Sequence, residues 1–460
     1  MALIKSISGI RGTIGGHIND NLTPVDVVKF AAAYGMWLKT QTTKEKLTVI
    51  IGRDARISGE MVSNLVSNTL IGLGINVTNI GLSTTPTVEV AVMLDKVDGG
   101  IVITASHNPK QWNALKLLNN KGEFLNAKAG TEVLNIVENN LYEFAHVDDL
   151  GTYSVGKNYI ERHIEEVLKL KLVDVQAIKN AKFKVVLDAV NSTGGITIPA
   201  LLKKLGVACI ELYCEPNGQF PHNPEPLEEH LTDISKLVVK ENADLGIVVD
   251  PDVDRLALIN EDGSMFGEEY TLVACADYVL GNTKGNTVSN LSSPRGLRDV
   301  TEKHGCKYHA SAVGEVNVVE LMKSTNTIIG GEGNGGIIYP EAHYGRDALV
   351  GVALFLSHLA KSKMSCKELR DGYTSYFSSK NKIELTTQID VDKILETIAN
   401  NYKNEEVNAI DGVKIDFENE WVHMRKSNTE TIIRIYTEGK SKQKANDLAE
   451  RFINEIEAVK

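Results

Sequence analysis

The sequence has no long apolar run and no apolar leader, and these absences exclude two classes of protein. Its longest apolar stretch, residues 348–360, is interrupted by Ser357 and His358 and is too short to span a bilayer, so we expect a buried helix there. The first residues, MALIKSISGIRG, contain no apolar segment long enough for a secretory signal. We therefore expect neither a membrane protein nor a secreted one.

Cysteine and positive charge are also scarce. The five cysteines form no CxxC pair and their number is odd, which favours reduced thiols and a cytoplasmic location. The chain has 49 basic and 60 acidic residues, a net charge of −11. This balance disfavours nucleic acid and membrane surfaces as partners, so any anionic ligand must be held by local basic loops.

What the sequence does contain is a repeated α/β pattern. Its 460 residues exceed what one core normally holds, so three or four domains are expected. Strand-like runs such as LTVIIGRD and FKVVLDAVNSTGG alternate with amphipathic helical stretches, one of them near residues 59–73. Residues 148–156 and 371–382 are typical of linkers. Three strands end in polar, glycine-bearing loops, which suggests three α/β domains that share one cleft.

Asp250, Asp252 and Asp254 follow an abruptly ending apolar run. Alternate residues of an extended segment point to one side, so we expect the three carboxylates to converge on a hard divalent cation such as Mg²⁺. A solvated acidic turn is the alternative.

Ser106 ends a strand of β-branched residues in ITASHNP, beside His107. Its hydroxyl could act as a nucleophile or carry a phosphoryl group, and Lys116 is a candidate proton shuttle. A helix cap is the ordinary alternative for such a serine. A serine-hydrolase interpretation is unattractive because the sequence lacks GxSxG.

Two further loops could bind a sugar phosphate. GGEGNGG presents Glu332 and Asn334 for sugar hydroxyls, although it formally contains GxGxxG. A dinucleotide site is disfavoured because Pro340 follows where a helix would be required; a flexible turn is the other alternative. RKSNTETIIR is typical of a phosphate-binding turn, or of an exposed basic face; its candidate residues are Arg425, Ser427, Asn428, Thr429 and Arg434.

ITASHNP, DPDVDR, GEGNGG and RKSNTETIIR occur in this order after SGIRG and GRDARISG. Together they resemble the α-D-phosphohexomutase family, end to end. The resemblance implies an α/β fold of four domains around a central cleft: three similar α/β domains with mixed sheets and a smaller C-terminal α+β domain. We expect them at residues 1–150, 151–256, 257–372 and 380–460.

The resemblance also implies a mechanism and its residues. Ser106 would be the phosphoserine and, through a phosphate oxygen, a ligand of one Mg²⁺ beside Asp250, Asp252 and Asp254. Arg11 and Lys116 match positions implicated in proton transfer, and His107 joins them as a catalytic candidate. Arg255 is expected, with the sugar and phosphate loops, to bind substrate. The reaction would interconvert hexose 6-phosphate and hexose 1-phosphate through a hexose 1,6-bisphosphate, in a monomer or homodimer.

Departures from the family pattern bear on the substrate. Asn334 stands where many phosphomannomutases and bacterial phosphoglucosamine mutases have serine. It resembles the acetylglucosamine phosphate mutases in this respect and favours an amino sugar, for which we expect glucosamine phosphate. SAVG lacks a lysine typical of some phosphomannomutases, which disfavours the alternative, phosphomannomutase or phosphoglucomutase activity. Thr431 replaces a usual proline, a change expected to soften the phosphate loop. A phosphatase and a non-catalytic sugar-phosphate sensor are the other hypotheses.

Overall fold

The structure is a computed structural model that describes residues 3–6, 9–384, 390–426 and 432–459. Four sheets divide it into four domains. Domain 1 has a seven-stranded sheet in the order β1-β2-β6-β5-β3-β4-β7. Its elements are β1 (Ile4–Ser6), β2 (Gly9–Thr13), α1 (Pro24–Thr40), β3 (Thr48–Arg53), α2 (Gly59–Gly72), β4 (Asn76–Leu82), α3 (Thr85–Asp95), β5 (Gly99–Ile103), β6 (Trp112–Leu118), α4 (Ala127–Glu138) and β7 (Tyr153–Val155).

Domains 2 and 3 have four-stranded sheets, ordered β11-β10-β8-β9 and β13-β12-β14-β15. Domain 2 consists of α5 (Tyr159–Lys169), α6 (Val175–Ala181), β8 (Lys184–Asp188), α7 (Gly194–Leu205), β9 (Ala208–Leu212), α8 (Thr232–Glu241), β10 (Leu245–Val249) and β11 (Leu256–Asn260). Domain 3 consists of α9 (Glu268–Asn282), β12 (Asn286–Asn290), α10 (Gly296–Lys303), β13 (Tyr308–Ser311), α11 (Glu315–Ser324), β14 (Thr327–Glu332), β15 (Gly336–Ile338), α12 (Ala348–Ser362) and α13 (Cys366–Asp371).

Domain 4 has an antiparallel sheet in the order β16-β20-β19-β18-β17. Its elements are β16 (Phe377–Glu384), α14 (Val391–Asn401), β17 (Glu406–Asn408), β18 (Val413–Asp416), β19 (Trp421–Lys426), β20 (Ile432–Gly439) and α15 (Lys442–Val459). The expected fold class of three similar α/β domains with mixed sheets and a smaller C-terminal domain is confirmed.

The first three sheets share a core of three parallel strands and one antiparallel strand: β4-β3-β5-β6, β9-β8-β10-β11 and β13-β12-β14-β15. In each, one loop connects the last parallel strand to its antiparallel neighbour. These equivalent loops, residues 104–111, 250–255 and 333–335, carry Ser106, the aspartates and Asn334. The repeated topology therefore explains why three chemically different motifs follow a strand in the same way.

The apolar stretch at residues 348–360 forms the buried helix α12, as expected. α12 belongs to one continuous apolar core that joins domains 2 and 3, whereas domains 1 and 4 have cores of their own. None of the helices in the described ranges is long and apolar enough to cross a membrane.

The expected linkers are only partly linkers. β7, at Tyr153–Val155, pairs with β4 and so extends the first sheet beyond residue 150, and β11 extends the second sheet beyond residue 256. β16 begins inside the second expected linker. The short β7 and the polar β16 lack the alternation of apolar and polar residues that would have indicated strands. Pairing with a neighbouring strand stabilises them instead.

Candidate active site

Ser106 lies in the loop between β5 and β6, with its backbone in the left-handed region at φ 48°. Non-glycine residues rarely adopt this conformation, and when they do the surrounding structure must hold them there. The Ser106 amide donates to Thr104 Oγ1 over 2.9 Å. The hydroxyl is buried and donates to Asp250 Oδ2 over 2.7 Å, which places domain 1 in direct contact with the aspartate loop of domain 2.

Arg56 holds this loop from behind. Its guanidinium is fully buried and donates to four backbone carbonyls of the loop and the start of β6, those of Ser106, Asn108, Pro109 and Trp112. Nε of Arg56 pairs with Asp54 Oδ2 at 3.0 Å, which also accepts from Thr104 Oγ1. The sequence showed Arg56 only as one arginine among others, because its partners are carbonyls that no side-chain pattern reveals.

The three aspartates converge, but not through an extended segment. Residues 251–253 form a turn after β10, and Val253 has φ 62°, a rare conformation for a β-branched residue. Asp250 Oδ1 accepts the amides of Asp254 and Arg255, each over 3.1 Å. The expectation of alternating side chains on one extended face was wrong, because the turn, and not strand alternation, aims the carboxylates inward.

Lys116 on β6 neutralises part of this charge. Its Nζ lies 2.6 Å from Asp252 Oδ2 and 3.1 Å from Asp254 Oδ2, and Thr85 Oγ1 donates to Asp252 Oδ2 over 2.5 Å. Burial alone would lower the pKa of Lys116, but the two carboxylates outweigh it and raise the pKa. Burial alone would raise the pKa of Asp252, but Lys116 outweighs burial and the pKa is lowered. The pKa of Asp250 is raised, by burial and by the carboxylates of Asp254 and Asp252.

This cluster is suited to a divalent cation. One carboxylate oxygen of each aspartate lies within 4.8 Å of the others, and all three residues are buried. Asp252 Oδ1 and Asp254 Oδ1 are buried without a hydrogen-bond partner among the described residues. Buried carboxylate oxygens without a donor are costly, and Mg²⁺ accepts oxygen ligands of this kind. The three aspartates therefore fit a Mg²⁺ ion.

His107 and Arg11 flank the serine. His107 Nδ1 lies 3.4 Å from Ser106 Oγ, and Arg11 Nη1 donates to Asn108 Oδ1 over 3.2 Å. Burial holds the pKa of His107 well below its usual range, helped by nearby positive charges such as Arg255. Burial therefore favours the neutral form of the imidazole.

Arg346 connects the aspartate loop, residues 250–255, to Glu332 at the start of the glycine-rich turn at residues 333–335, which we call the sugar loop after its expected role. Its Nη2 lies 2.8 Å from Asp254 Oδ2 and its Nη1 lies 3.0 Å from Glu332 Oε2. The other oxygen of Glu332 accepts from Asn290 Nδ2 over 2.9 Å. Sequence reasoning missed Arg346, since nothing in the stretch YGRDALVG shows which carboxylates the arginine will reach in the fold.

The sugar loop is a turn between antiparallel strands, which agrees with rejecting a dinucleotide site. Asn334 Oδ1 accepts the Gly336 amide over 3.3 Å. The Leu256 amide, directly after the aspartate loop, donates to the Gly335 carbonyl of the sugar loop over 3.0 Å and so joins the two loops. A Cβ on Gly335 would lie 2.3 Å from the Leu256 oxygen, so only glycine allows this approach. Arg255 is the last residue of the aspartate loop, and its Nη1 lies 3.4 Å from Glu225 Oε1.

Arg425 and Arg434 face each other across β19 and β20 in domain 4. Like charges in direct cross-strand register repel each other, and a bound anion would relieve the repulsion. Arg425 Nε is buried and has no hydrogen-bond partner in the described part of the chain. Ser427, Asn428 and Thr429, together with Thr431, lie outside the described residues.

Residues 291–295, after β12, contact both the loop at residues 333–335 and strand β19 of domain 4. Ser293 Oγ accepts the Gly333 amide over 3.0 Å, while Ser292 Oγ lies 2.8 Å from His423 Nδ1 on β19. His423 and Arg425 alternate along β19, so their side chains share the face opposite the apolar core. The face of domain 4 that carries Arg425 and Arg434 therefore contacts Ser292, which is next to the serine that binds the sugar loop.

Sequence models of the phosphoglucomutase/phosphomannomutase family match all four domains. The alpha/beta/alpha domains I, II and III match residues 3–143, 159–263 and 267–376, and the C-terminal domain matches residues 383–455. Each match covers most of one sheet; β7 lies beyond the end of the first match, and most of β16 lies before the start of the fourth.

Whole-chain relatives and solved structures agree. A phosphoglucomutase/phosphomannomutase of Thermococcus kodakarensis is 35% identical over 452 residues, 97% of this chain and 98% of the relative. A phosphoglucosamine/phosphogalactosamine mutase of Sulfurisphaera tokodaii is 29% identical over 466 residues, 100% of this chain and 99% of the relative.

Among solved structures, a phosphoglucomutase/phosphomannomutase family protein of Burkholderia thailandensis matches with a TM-score of 0.84 at 24% identity, over 99% of this chain and 98% of that one. Aspergillus fumigatus N-acetylphosphoglucosamine mutase, solved with GlcNAc-6P and magnesium, matches with a TM-score of 0.57 at 13% identity, over 94% and 97% of the two chains. At these identities the likeness concerns the fold. The four domain matches and the Thermococcus relative show that this chain belongs to the phosphoglucomutase/phosphomannomutase family of phosphohexomutases.

Proposed function

We propose that this protein interconverts hexose 6-phosphate and hexose 1-phosphate through a phosphorylated Ser106. The observation that carries the proposal is the 2.7 Å contact between Ser106 Oγ and Asp250 Oδ2, at the meeting point of three carboxylates, Lys116 and Arg346. Phosphoryl transfer depends mainly on positioning and charge stabilisation, which this arrangement supplies.

In the first half-reaction the bond between phosphorus and Ser106 Oγ breaks while phosphorus bonds to a free sugar hydroxyl oxygen. The hydroxyl loses its proton and Ser106 Oγ gains one, and the product is a hexose 1,6-bisphosphate. After this bisphosphate reverses its orientation, Ser106 Oγ takes the other phosphoryl group, and the remaining monophosphate is the isomer of the substrate. The serine is thereby phosphorylated again.

The chain offers three groups for the proton transfers. Lys116 carries a proton on Nζ beside the aspartates, Arg11 is held by Asn108, and the neutral imidazole of His107 lies near Ser106 Oγ. Bound to Asp250, Asp252 and Asp254, with a phosphate oxygen on Ser106 as a further ligand, Mg²⁺ would neutralise the charge of the transferring group.

Substrate would be held at two further points. Glu332 and Asn334 would contact sugar hydroxyls, with Arg255 beside them, and the hairpin of Arg425 and Arg434 would bind the phosphate that does not react, with Ser427, Asn428 and Thr429 completing that loop. Nε of Arg425 is buried and has no hydrogen-bond partner among the described residues, which supports this part of the proposal because phosphate oxygens match guanidinium donors.

Glucosamine phosphate is the substrate we favour. Asn334 both donates and accepts hydrogen bonds, and several relatives near 30% identity are named as probable phosphoglucosamine mutases. The Thermococcus relative, named for glucose and mannose phosphates, supports the alternative. All five cysteines are free thiols, which suits the proposed cytoplasmic location.

The mechanism is tested by mapping phosphate on protein purified without phosphatase and by assaying Ser106→Ala. We expect part of the protein to carry one phosphoryl group on Ser106, and the variant to lose both the group and mutase turnover. Phosphate on another residue, or full turnover by Ser106→Ala, would show that the mechanism is wrong.

The substrate is tested separately by comparing kcat/KM for the 1-phosphates of glucosamine, N-acetylglucosamine, mannose and glucose. Glucosamine 1-phosphate should give the highest value, and Asn334→Ser should shift the preference by about 1–2 kcal/mol. A roughly tenfold preference for glucose or mannose phosphate, about 1.4 kcal/mol, would exclude the amino sugar and leave the mutase mechanism standing.

A further inference from the structure

A second cluster of metal-ligating side chains lies where domains 1, 2 and 3 meet. His163 comes from α5 of domain 2, His343 from the loop after β15, and Asp347 from the N-cap of α12. All three side chains are buried, and one ligand atom of each lies within 4.8 Å of the others. These residues take no part in the proposed phosphoryl transfer.

We propose that His163, His343 and Asp347 bind a divalent transition-metal ion, for which zinc is the best match. The His163 Nε2 lies 2.9 Å and the His343 Nε2 lies 3.1 Å from Asp347 Oδ2. Two ligand atoms that are each about 2.0–2.1 Å from one zinc ion lie roughly 3 Å apart. Two imidazole nitrogens and one carboxylate oxygen suit zinc better than magnesium.

The second nitrogen of each imidazole has the partner that a metal-bound histidine needs. His163 Nδ1 lies 2.9 Å from Thr87 Oγ1, and His343 Nδ1 lies 3.4 Å from Glu89 Oε2. Ligating histidines usually direct the other ring N–H at an oxygen, often a carboxylate, which fixes the ring. Domain 1 thus supplies the outer partners, and domains 2 and 3 supply the ligands.

The positions of the protons decide whether His343 Nδ1 can form a hydrogen bond with Glu89. If both rings are neutral and donate from Nε2 to Asp347, His343 Nδ1 is an acceptor and faces the carboxyl group of Glu89. Among the described residues, neither His343 Nδ1 nor Glu89 Oε2 has a hydrogen bond, and both atoms are buried. When zinc binds Nε2, each neutral ring carries its single proton on Nδ1, and in His343 that N–H faces Glu89.

Two imidazolium rings would also satisfy these oxygens, so the experiment must separate a metal from protons. The full-length protein is stripped with chelator, loaded with Zn²⁺ in the presence of millimolar Mg²⁺, desalted and analysed for bound zinc. We expect about one equivalent of zinc, retained by wild-type protein and lost in His163→Gln and His343→Gln. Asp347→Asn keeps an oxygen to cap α12 and should weaken zinc binding by about 10-fold or more.

Two variants serve as controls. His358→Gln changes a partly buried histidine of α12 outside the cluster, and Asp252→Asn removes a ligand of the aspartate site; both should retain zinc. The zinc K-edge absorption spectrum of wild-type protein should show imidazole scattering.

The proposal would be overturned if wild-type protein retained no zinc or if its absorption spectrum showed only oxygen ligands around the zinc. It would also be overturned if His163→Gln retained as much zinc as wild-type protein. Because the wild-type measurements need no variant, misfolding of His343→Gln cannot hide a negative result. The outcome is also independent of whether the protein is a mutase.

Discussion

At the scale of single residues, the candidate site contains side chains that lie in contiguous sequence motifs and side chains whose partners only the fold reveals. Ser106 and the aspartates could be predicted from the sequence because each group is contiguous and follows a strand. Arg346 could not, because its partner Asp254 is 92 residues away and the sequence does not show which carboxylate a buried arginine will reach. Arg56 escaped for a related reason: its partners are backbone carbonyls, whose direction depends on the left-handed conformation of Ser106.

Arg56→Lys should lower both stability and turnover. Lysine cannot reach four carbonyls and Asp54 together, and each buried acceptor left unsatisfied costs about 1–3 kcal/mol. We expect a lower Tm and a fall in kcat on the order of 10-fold or more, measured with the preferred hexose phosphate. Arg53→Lys, at the neighbouring half-buried arginine, is the control and should change both little. Wild-type kcat and Tm in Arg56→Lys would show that the loop holds itself.

Asp252→Asn tests the cation at the aspartate site. The amide keeps the volume of the side chain but removes the charge that pairs with Lys116 and attracts the metal. We expect kcat to fall on the order of 10²-fold or more, with a smaller effect on substrate binding, because the charge matters most during transfer. The exposed Asp95, changed to asparagine, is the control. Unchanged kcat with a much lower Tm would instead indicate a purely structural cation.

At the scale of elements, the strand-then-loop pattern was sufficient to place three motifs at equivalent ends of three sheets. What it could not give was the path of each loop. The aspartate loop turns at Val253 and is not extended, and β7 and β16 formed where linkers were expected. Both differences arise from tertiary contacts: carboxylates that accept loop amides in the first case, and strand pairing in the second.

The hairpin of β19 and β20 permits a test of phosphate binding. Arg425→Ala removes one charge-assisted contact, worth about 1.5–3 kcal/mol, so kcat/KM should fall by roughly 10- to 100-fold for every sugar phosphate. Substrate should also raise the Tm of wild-type protein more than that of the variant. Lys426→Ala is the matched control, because this exposed neighbour points to the other side of the strand. Equal kcat/KM in Arg425→Ala and wild-type protein would remove the hairpin from the site.

At the scale of the whole molecule, the domains are joined in two ways. Domains 2 and 3 share one apolar core, which fixes their relative position, whereas domain 4 has its own core and meets domain 3 through polar contacts. Arg295 donates to the carbonyls of Phe417, Glu418 and Glu420, and Ser292 contacts His423. Polar contacts reform at little cost, so this junction is suited to the opening that the proposed reorientation of the bisphosphate would require.

His423 makes this junction sensitive to pH. Its Nε2 donates to the Asp411 carbonyl over 2.7 Å, so the neutral ring accepts from Ser292 at Nδ1. Burial lowers the pKa of His423 to about 4, below the ordinary value of 6.5. Between these pH values the unfolded chain binds more protons than the folded one, so stability is lost as the pH falls through this window, by up to about 3 kcal/mol.

We therefore expect the Tm of wild-type protein to fall more steeply than that of His423→Gln between about pH 7 and about pH 4.5, because glutamine has no proton to gain there. Thermal unfolding of both proteins across this range measures the difference, which cancels the titration of all other groups. His17→Gln removes an exposed histidine and should follow the wild-type curve. Parallel curves for wild-type protein and His423→Gln would mean that the histidine already titrates alike in the folded and unfolded chains, and that domain 4 is docked by Arg295 and its carbonyls without a contribution from the neutral imidazole.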